Sequence, residues 1–197
     1  MQANRVLTLS DNIFSKASVL TDIMLIVAGS LITAVFAQIS IYLPFSPVPI
    51  TGQTLAVLLV GAVLGSRKGA ISQILYLIEG AIGLPVFASG HSTLAYILGP
   101  TGGYLIGFVF AAFLIGWFSE HGWDRKNSTV AIAAFLSNIV IYIFGLAWLS
   151  RFFLLKKILT IGFYPFILGD ILKIVLLIIL LPSCWKFVSS ISRMKRV

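Results

Sequence analysis

Charge is what this sequence has least of. Only 10% of its 197 residues are Asp, Glu, Lys or Arg, where a soluble domain carries about 25%. A chain this short keeps most of its residues near a surface, so a large core does not explain the deficit. That surface contacts lipid, and the chain reads as an integral membrane protein. Acids are scarcest of all: six Asp and Glu stand against 14 Lys and Arg, for a formal net charge of +8. The basic residues sit in short connectors between apolar runs, not in a patch interleaved with aromatics, which excludes nucleic acid as a partner. A single cysteine, Cys184, excludes an intramolecular disulfide and any multi-cysteine metal site. The two histidines, His91 and His121, fall on opposite sides of the expected topology, so neither a metal nor a cofactor is expected. No G-x-x-x-x-G-K-[ST], HExxH or GxSxG tract is present, so the chain does not cradle ATP phosphates in that way and is not read as an enzyme. Met1 to Asp22 is too poor in apolar residues for a signal peptide.

Six apolar stretches fill the rest: Ile23–Leu43, Thr54–Leu64, Ala70–Ile82, Tyr104–Phe118, Thr129–Leu149 and Phe166–Leu181. A helical crossing needs about 20 residues, whereas a barrel strand alternates apolar and polar residues over about 10. Runs such as Ile171–Leu181 do not alternate, so the expected class is all-α, a polytopic six-helix bundle. One membrane domain covers 1–197, with a cytoplasmic segment 1–18, the bundle 19–187 and a basic tail 188–197. With both termini cytoplasmic, the inner side receives Arg5, Lys16, Arg67, Lys68, Arg125, Lys126, Lys186, Arg193, Lys195 and Arg196. The outer side receives Arg151, Lys156 and Lys157, and Lys173 falls within the sixth stretch. This is the bias of the positive-inside rule, and it places the connectors 66–69 and 119–128 inside. Pro44–Gly52 and Val86–Gly103, the second without one charged residue, fall outside. They read as backbone folded over a cavity, the setting in which irregular backbone is tolerated at membrane depth.

Gly169-Asp170-Ile171-Leu172-Lys173 in the last stretch is the most informative tract. Asp170 and Lys173 project about 60° apart on one helix face. Each costs about 2.5–3.5 kcal/mol at a helix centre, so an intramembrane pair reads as a functional site before a structural tether. Thr51, Gln53 and Thr54 either cap the next helix or, through the Gln53 amide, read an amide-like ligand. Gln73, Tyr76 and Glu79 make a polar stripe, with Glu79 left open between ligand contact, lysine partner and protonated acid. Small residues recur every four positions along Gly61 and Gly65, along Gly99, Gly103, Gly107 and Ala111, and along Gly29, Thr33 and Ala37 beside Ser30 and Ala34. Such faces let helices approach closely. The stripe in the first helix is also shaped to face another subunit, including a second copy of the chain.

Four tracts carry a resemblance. Val48-Pro49-Ile50-Thr51-Gly52-Gln53-Thr54-Leu55-Ala56-Val57-Leu58-Leu59, Gly83-Leu84-Pro85-Val86-Phe87-Ala88, Leu98-Gly99-Pro100-Thr101-Gly102-Gly103-Tyr104-Leu105 and Gly169-Asp170-Ile171-Leu172-Lys173 resemble the BioY family. These are the biotin-specific S components of energy-coupling-factor (ECF) transporters, and the tracts stand in the family's order over nearly the whole chain. The resemblance implies a six-helix protein of the bacterial cell membrane that captures biotin at the outer face. It implies docking on a coupling subunit that carries two ATP-binding subunits. It places Asp170, Lys173, Thr51 and Gln53 in the biotin pocket, completed by the lid Gly90–Tyr96. Tyr104 and Tyr96 are expected as walls, with His91 and Glu79 as further candidate contacts. Ser30, Thr33, Ala34 and Ala37 are expected to touch the coupling subunit. Two features depart from the family pattern: Ser89-Gly90-His91-Ser92-Thr93 stands where many relatives carry an arginine, and the first helix lacks a strict AxxxA. A proton-coupled secondary carrier with Asp170 or Glu79 as relay is the alternative; an intramembrane enzyme or assembly factor lacks a nucleophile–base pair.

Overall fold

The computed structural model describes residues 6–14 and 18–194, with side chains as far as residue 188. In chain order the elements are α1 (Leu9–Ile13), α2 (Val19–Ala37), β1 (Ser40–Ile41), β2 (Ile50–Thr51), α3 (Gln53–Leu64), α4 (Ser66–Ala81), α5 (Leu94–Leu98), α6 (Gly102–Glu120), α7 (Asn127–Leu149), α8 (Leu155–Gly162) and α9 (Ile167–Met194). The class is all-α; its one sheet among the described residues is the two-stranded ribbon β1–β2. Each expected apolar stretch coincides with one of the long helices α2, α3, α4, α6, α7 and α9. Four segments, α2, α6, α7 and Leu155–Val188, are long and apolar enough to cross a membrane. The outside of the bundle is apolar too. Val19 is 77% exposed and Leu168 81%, as suits a lipid-facing surface.

The seams are built from small residues. A Cβ on Gly61 of α3 would stand 2.5 Å from the carbonyl oxygen of Ala112 in α6. One on Gly103 of α6 would stand 2.2 Å from Trp148 Cβ in α7. Only glycine permits that approach. Along α2, Ser30, Thr33 and Ala37 are wholly buried and Ala34 nearly so. Thr33 Oγ1 accepts from Gln73 Nε2 of α4 at 3.1 Å, and Ser30 Oγ donates to Glu79 of α4 at 3.0 Å. Ser30 and Thr33 of the stripe expected to touch the coupling subunit are thereby engaged with α4.

Several boundaries differ from expectation for local reasons. The first helix ends at Ala37, and the chain turns into the β1–β2 ribbon, with Ser40 opposite Thr51 and Ile41 opposite Ile50. The connector expected at 66–69 shrinks to Gly65, whose φ of +83° no other residue type adopts cheaply. Arg67 and Lys68 thereby join the first turn of α4. Glu120 Oε1 accepts from both the Ser66 backbone N–H and its hydroxyl, at 2.8 and 2.7 Å, which supplies the cap that α4 needs. The N-terminal segment is held against the bundle where it is described. Thr8 and Asp11 form a capping box on α1, Leu9 is 2% exposed, and Lys68 bridges Asp11 and Asp22 at 3.0 and 3.2 Å. Burial pushes the Asp11 carboxyl up, but the Thr8 hydrogen bonds and Lys68 outweigh it and hold it below the usual carboxylate range. The expected tail 188–197 is helical as far as Met194, since α9 runs on through Pro182. The end of α9 is clamped by Asp124, which accepts from Trp185 Nε1 at 2.6 Å, with the Arg125 guanidinium 4.3 Å over the same ring. Of the residues counted for orientation, Arg5, Lys16, Lys195 and Arg196 lie outside the described residues. The helix α8 was not foreseen. It is too short to stand out by length and carries Lys156 and Lys157 on an otherwise apolar stretch.

Candidate functional site

A cavity of about 550 Å³, counted to its mouth, opens at the end of the bundle that holds the ribbon, α5 and α8. Several segments furnish its wall. The ribbon pins the proline-rich loop, so that Val48 and Pro49 face the cavity. Ser46 Oγ ties the same loop to α8 through the Ile161 carbonyl oxygen at 2.6 Å. Thr51 enters from β2, and Gln53 and Thr54 from the first turn of α3. The glycine seam between α6 and α7 brings Tyr104, Asn138 and Tyr142 together. The first two turns of α9 deliver Asp170 and Lys173.

Asp170 and Lys173 are paired at 3.1 Å, their side chains 9% and 14% exposed. Lys173 Nζ also donates to Thr54 Oγ1 at 2.7 Å, and Tyr142 Oη donates to Asp170 Oδ2. The pair is therefore held by α3 and α7 as well as by its own helix. A buried carboxylate and ammonium are tolerable only when paired and hydrogen-bonded in this way. Among the described residues they are the only charged groups lining the cavity; Leu105, Phe108, Ile141 and Phe166 supply apolar wall. Such a site offers a charged acceptor and a charged donor in dry surroundings, where charge-assisted hydrogen bonds are strong.

Thr51 and Gln53 line the cavity, though partly engaged: Thr51 Oγ1 donates to Gln53 Oε1 at 2.9 Å and Gln53 Nε2 to Tyr76 Oη at 2.5 Å. Gly52, not a threonine, stands at the N-cap of α3. Tyr104 is a wall, its hydroxyl donating to the Gly162 carbonyl oxygen at 2.7 Å. Tyr96 reaches the cavity from the lid and stacks on Phe87. Burial pushes its phenol up to about 12, so it stays neutral. The lid backbone is strained, with φ of +53° at Ser89 and +85° at Thr93, conformations usually left to glycine. Two expected contacts lie off the cavity wall. His91 is exposed, stacked on Tyr96 and 3.4 Å from Tyr42 Oη, and does not line the cavity. Glu79 lies in the seam with α2, turned to Ser30. Tyr142 and Asn138 were not singled out from sequence. Their signal was present, as two polar residues four apart on one face of an apolar helix.

The chain has relatives among known proteins. The BioY family model matches residues 7–190. A probable biotin transporter BioY from Pyrococcus horikoshii is 41% identical over 142 residues, 72% of this chain and 82% of the relative. The biotin transporter BioY of Rhizobium etli is 41% identical over 160 residues, 73% of this chain and 86% of the relative. The 2.1 Å crystal structure of the S-component for biotin from an ECF-type ABC transporter superposes with a TM-score of 0.74 at 28% identity. That match covers 85% of this chain and 92% of the other. These matches are to transporters and not to enzymes, and they fit a multi-pass protein of the cell membrane. The chain belongs to the BioY family.

Proposed function

We propose that this chain is the substrate-binding S component of a biotin uptake system, taking biotin from the outer face into the cavity described above. The observation that carries this reading is the buried Asp170–Lys173 pair, braced by Tyr142 and Thr54, in an otherwise apolar cavity. Biotin offers two ureido N–H donors, a ureido carbonyl, an apolar thiophane and tail, and a carboxylate. Asp170 accepts from a ureido N–H through its remaining lone pairs, and the third N–H of Lys173 donates to a ligand oxygen. Tyr104, Tyr96 and Phe166 enclose the apolar ring. Six helices cross the membrane with both termini in the cytoplasm, and α5, α8 and the ribbon close the outer end. Delivery draws on a coupling subunit and two ATP-binding subunits.

Calorimetric titration of biotin into the detergent-purified chain tests the assignment. Saturable binding of one biotin per chain is expected, and wild-type protein that ignores biotin would refute it. Glu79, partly buried with Oε2 unpartnered, favours a second reading, a proton-coupled carrier. Biotin uptake that survives an ionophore while ATP is maintained rejects that reading; uptake that collapses supports it.

The orientation is tested by cysteine labelling in a Cys184→Ser background. A cysteine at Ser92 is expected to react with an impermeant maleimide from outside, and one at Ser128 only after permeabilisation. The reverse pattern would overturn the topology.

A further inference from the structure

The apolar segment Leu155–Val188 is 34 residues long, where one crossing needs about 20. The surplus is α8, which the turn Tyr164–Phe166, holding Pro165, sets apart from α9. At 100° per residue α8 presents three faces. Ile158 and Ile161 are buried. Leu155 and Leu159, about 40° apart on the helix, are 78% and 46% exposed. Lys156, Lys157 and Thr160 take up the remaining arc, all exposed. Water alone would strand two leucines, and hydrocarbon alone would strand two ammonium groups. A helix at the boundary, with leucines in the acyl region and lysines among the headgroups, satisfies all three faces. Exposed Leu154 and Tyr164 flank it with side chains suited to the same boundary.

The charge on this face is of one sign. No Asp or Glu lies between Asp124 and Asp170, and neither lysine forms an ion pair among the described residues. Arg151, just before α8, lies 4.8 Å over the Trp148 ring. Lysines so placed favour headgroups of net negative charge, each by about fivefold near such a surface. The same helix holds the cavity: its Ile161 carbonyl oxygen accepts from Ser46 and its Gly162 carbonyl oxygen from Tyr104. We infer that α8 is seated in the leaflet at the cavity's end of the bundle, that Lys156 and Lys157 draw anionic lipid to it, and that this seating steadies the cavity wall. The last step is read through biotin, and so it alone rests on the cavity being the biotin site.

The test uses the full chain in nanodiscs, with a fluorophore on Leu159→Cys or Thr160→Cys in a Cys184→Ser background. In phosphatidylcholine, nitroxide-tailed lipid is expected to quench the Leu159 probe, and iodide in the water to quench the Thr160 probe. At equal mole fraction, nitroxide-tailed phosphatidylglycerol is expected to quench the Leu159 probe more than its phosphatidylcholine counterpart. That excess is expected to be lost in the double variant Lys156→Gln, Lys157→Gln. Without a fluorophore, the double variant is expected to bind biotin about fivefold or more weakly than wild type in phosphatidylglycerol nanodiscs. In phosphatidylcholine the two are expected to bind alike. Iodide that reaches both probes equally overturns the seating. Equal quenching by the two lipids, or an excess that survives loss of both lysines, overturns the anionic selection. An excess abolished by inorganic phosphate, and not by chloride of equal ionic strength, assigns the lysines to the free ion and overturns it too. Unchanged biotin affinity in the double variant overturns the coupling. Wild type that ignores biotin sinks the parent reading and the coupling with it, while the quenching still decides the lipid contact.

Discussion

Lys173→Ala is expected to weaken biotin binding by at least a hundredfold while the chain still inserts and purifies as a single species. Lys173 Nζ stands 3.1 Å from Asp170 Oδ1 and 2.7 Å from Thr54 Oγ1, with 14% of its side chain exposed. Its removal takes away a charged donor to the ligand. It also leaves the Asp170 carboxylate in an apolar wall with Tyr142 as its remaining described side-chain partner. Breaking a buried pair from one side costs about 3–5 kcal/mol, and part of that falls on the geometry that receives the ligand. Asp170→Asn keeps the shape but gives up the charge and turns an NH₂ donor toward Tyr142 or the ureido N–H groups. A hydrogen bond to a charged group contributes about 1.5–3 kcal/mol, so its expected loss is roughly tenfold to hundredfold. Calorimetric titration of both monodisperse variants is the measurement. Near-native affinity in both would make the pair a tether and move the search for the site to Gln53 and the lid.

Gly103→Val is expected to prevent recovery of a monodisperse protein. A Cβ there would meet Trp148 Cβ at 2.2 Å and the Phe144 backbone oxygen at 2.4 Å. Neither atom is the far end of a flexible side chain, so α6 and α7 must separate. Trp148 would then lose its 3.0 Å bond to the Gly99 carbonyl oxygen. Ordinary overpacking costs about 1–3 kcal/mol, and collision with a helix backbone exceeds that range. Gly169→Ala in α9 is the control: its nearest neighbour, Ile50 Cγ2, would be at 3.7 Å, an ordinary contact. It is expected to behave as wild type in size-exclusion chromatography and thermal unfolding. Equal behaviour of the two variants would contradict the tight α6–α7 seam.

The long helices were legible because lipid and core alike demand unbroken apolar runs, so Thr129–Leu149 falls within α7 and Thr54–Leu64 within α3. Boundaries failed where a single long-range contact decides. Nothing near Ser66 in sequence announces that Glu120, 54 residues away, caps α4. The sixth apolar stretch ends at Leu181, yet α9 passes on through Pro182. Asp170 and Lys173 stood out because charge in an apolar run is conspicuous. Tyr142 did not, since a tyrosine in such a run resembles any other aromatic until its hydroxyl is seen to donate to Asp170. The stripe Ser30, Thr33, Ala34 and Ala37 shows the limit of spacing as an argument. Periodic small residues state that something packs closely, and only the fold reveals that this something is α4.

The pairing of Lys173 with Asp170 has an electrical consequence. The two cancel, so the wall of the cavity contributes no net charge, and the loaded site carries the charge of its cargo. Biotin with an ionised carboxylate is a monoanion. Moving it inward across a membrane whose interior is negative does work against the field, about 2.3 kcal/mol per 100 mV. That work is set by the vitamin and not by the protein. A biotin amide, with its carboxylate masked, would travel free of it, and the voltage dependence of delivery would vanish with the ligand's charge.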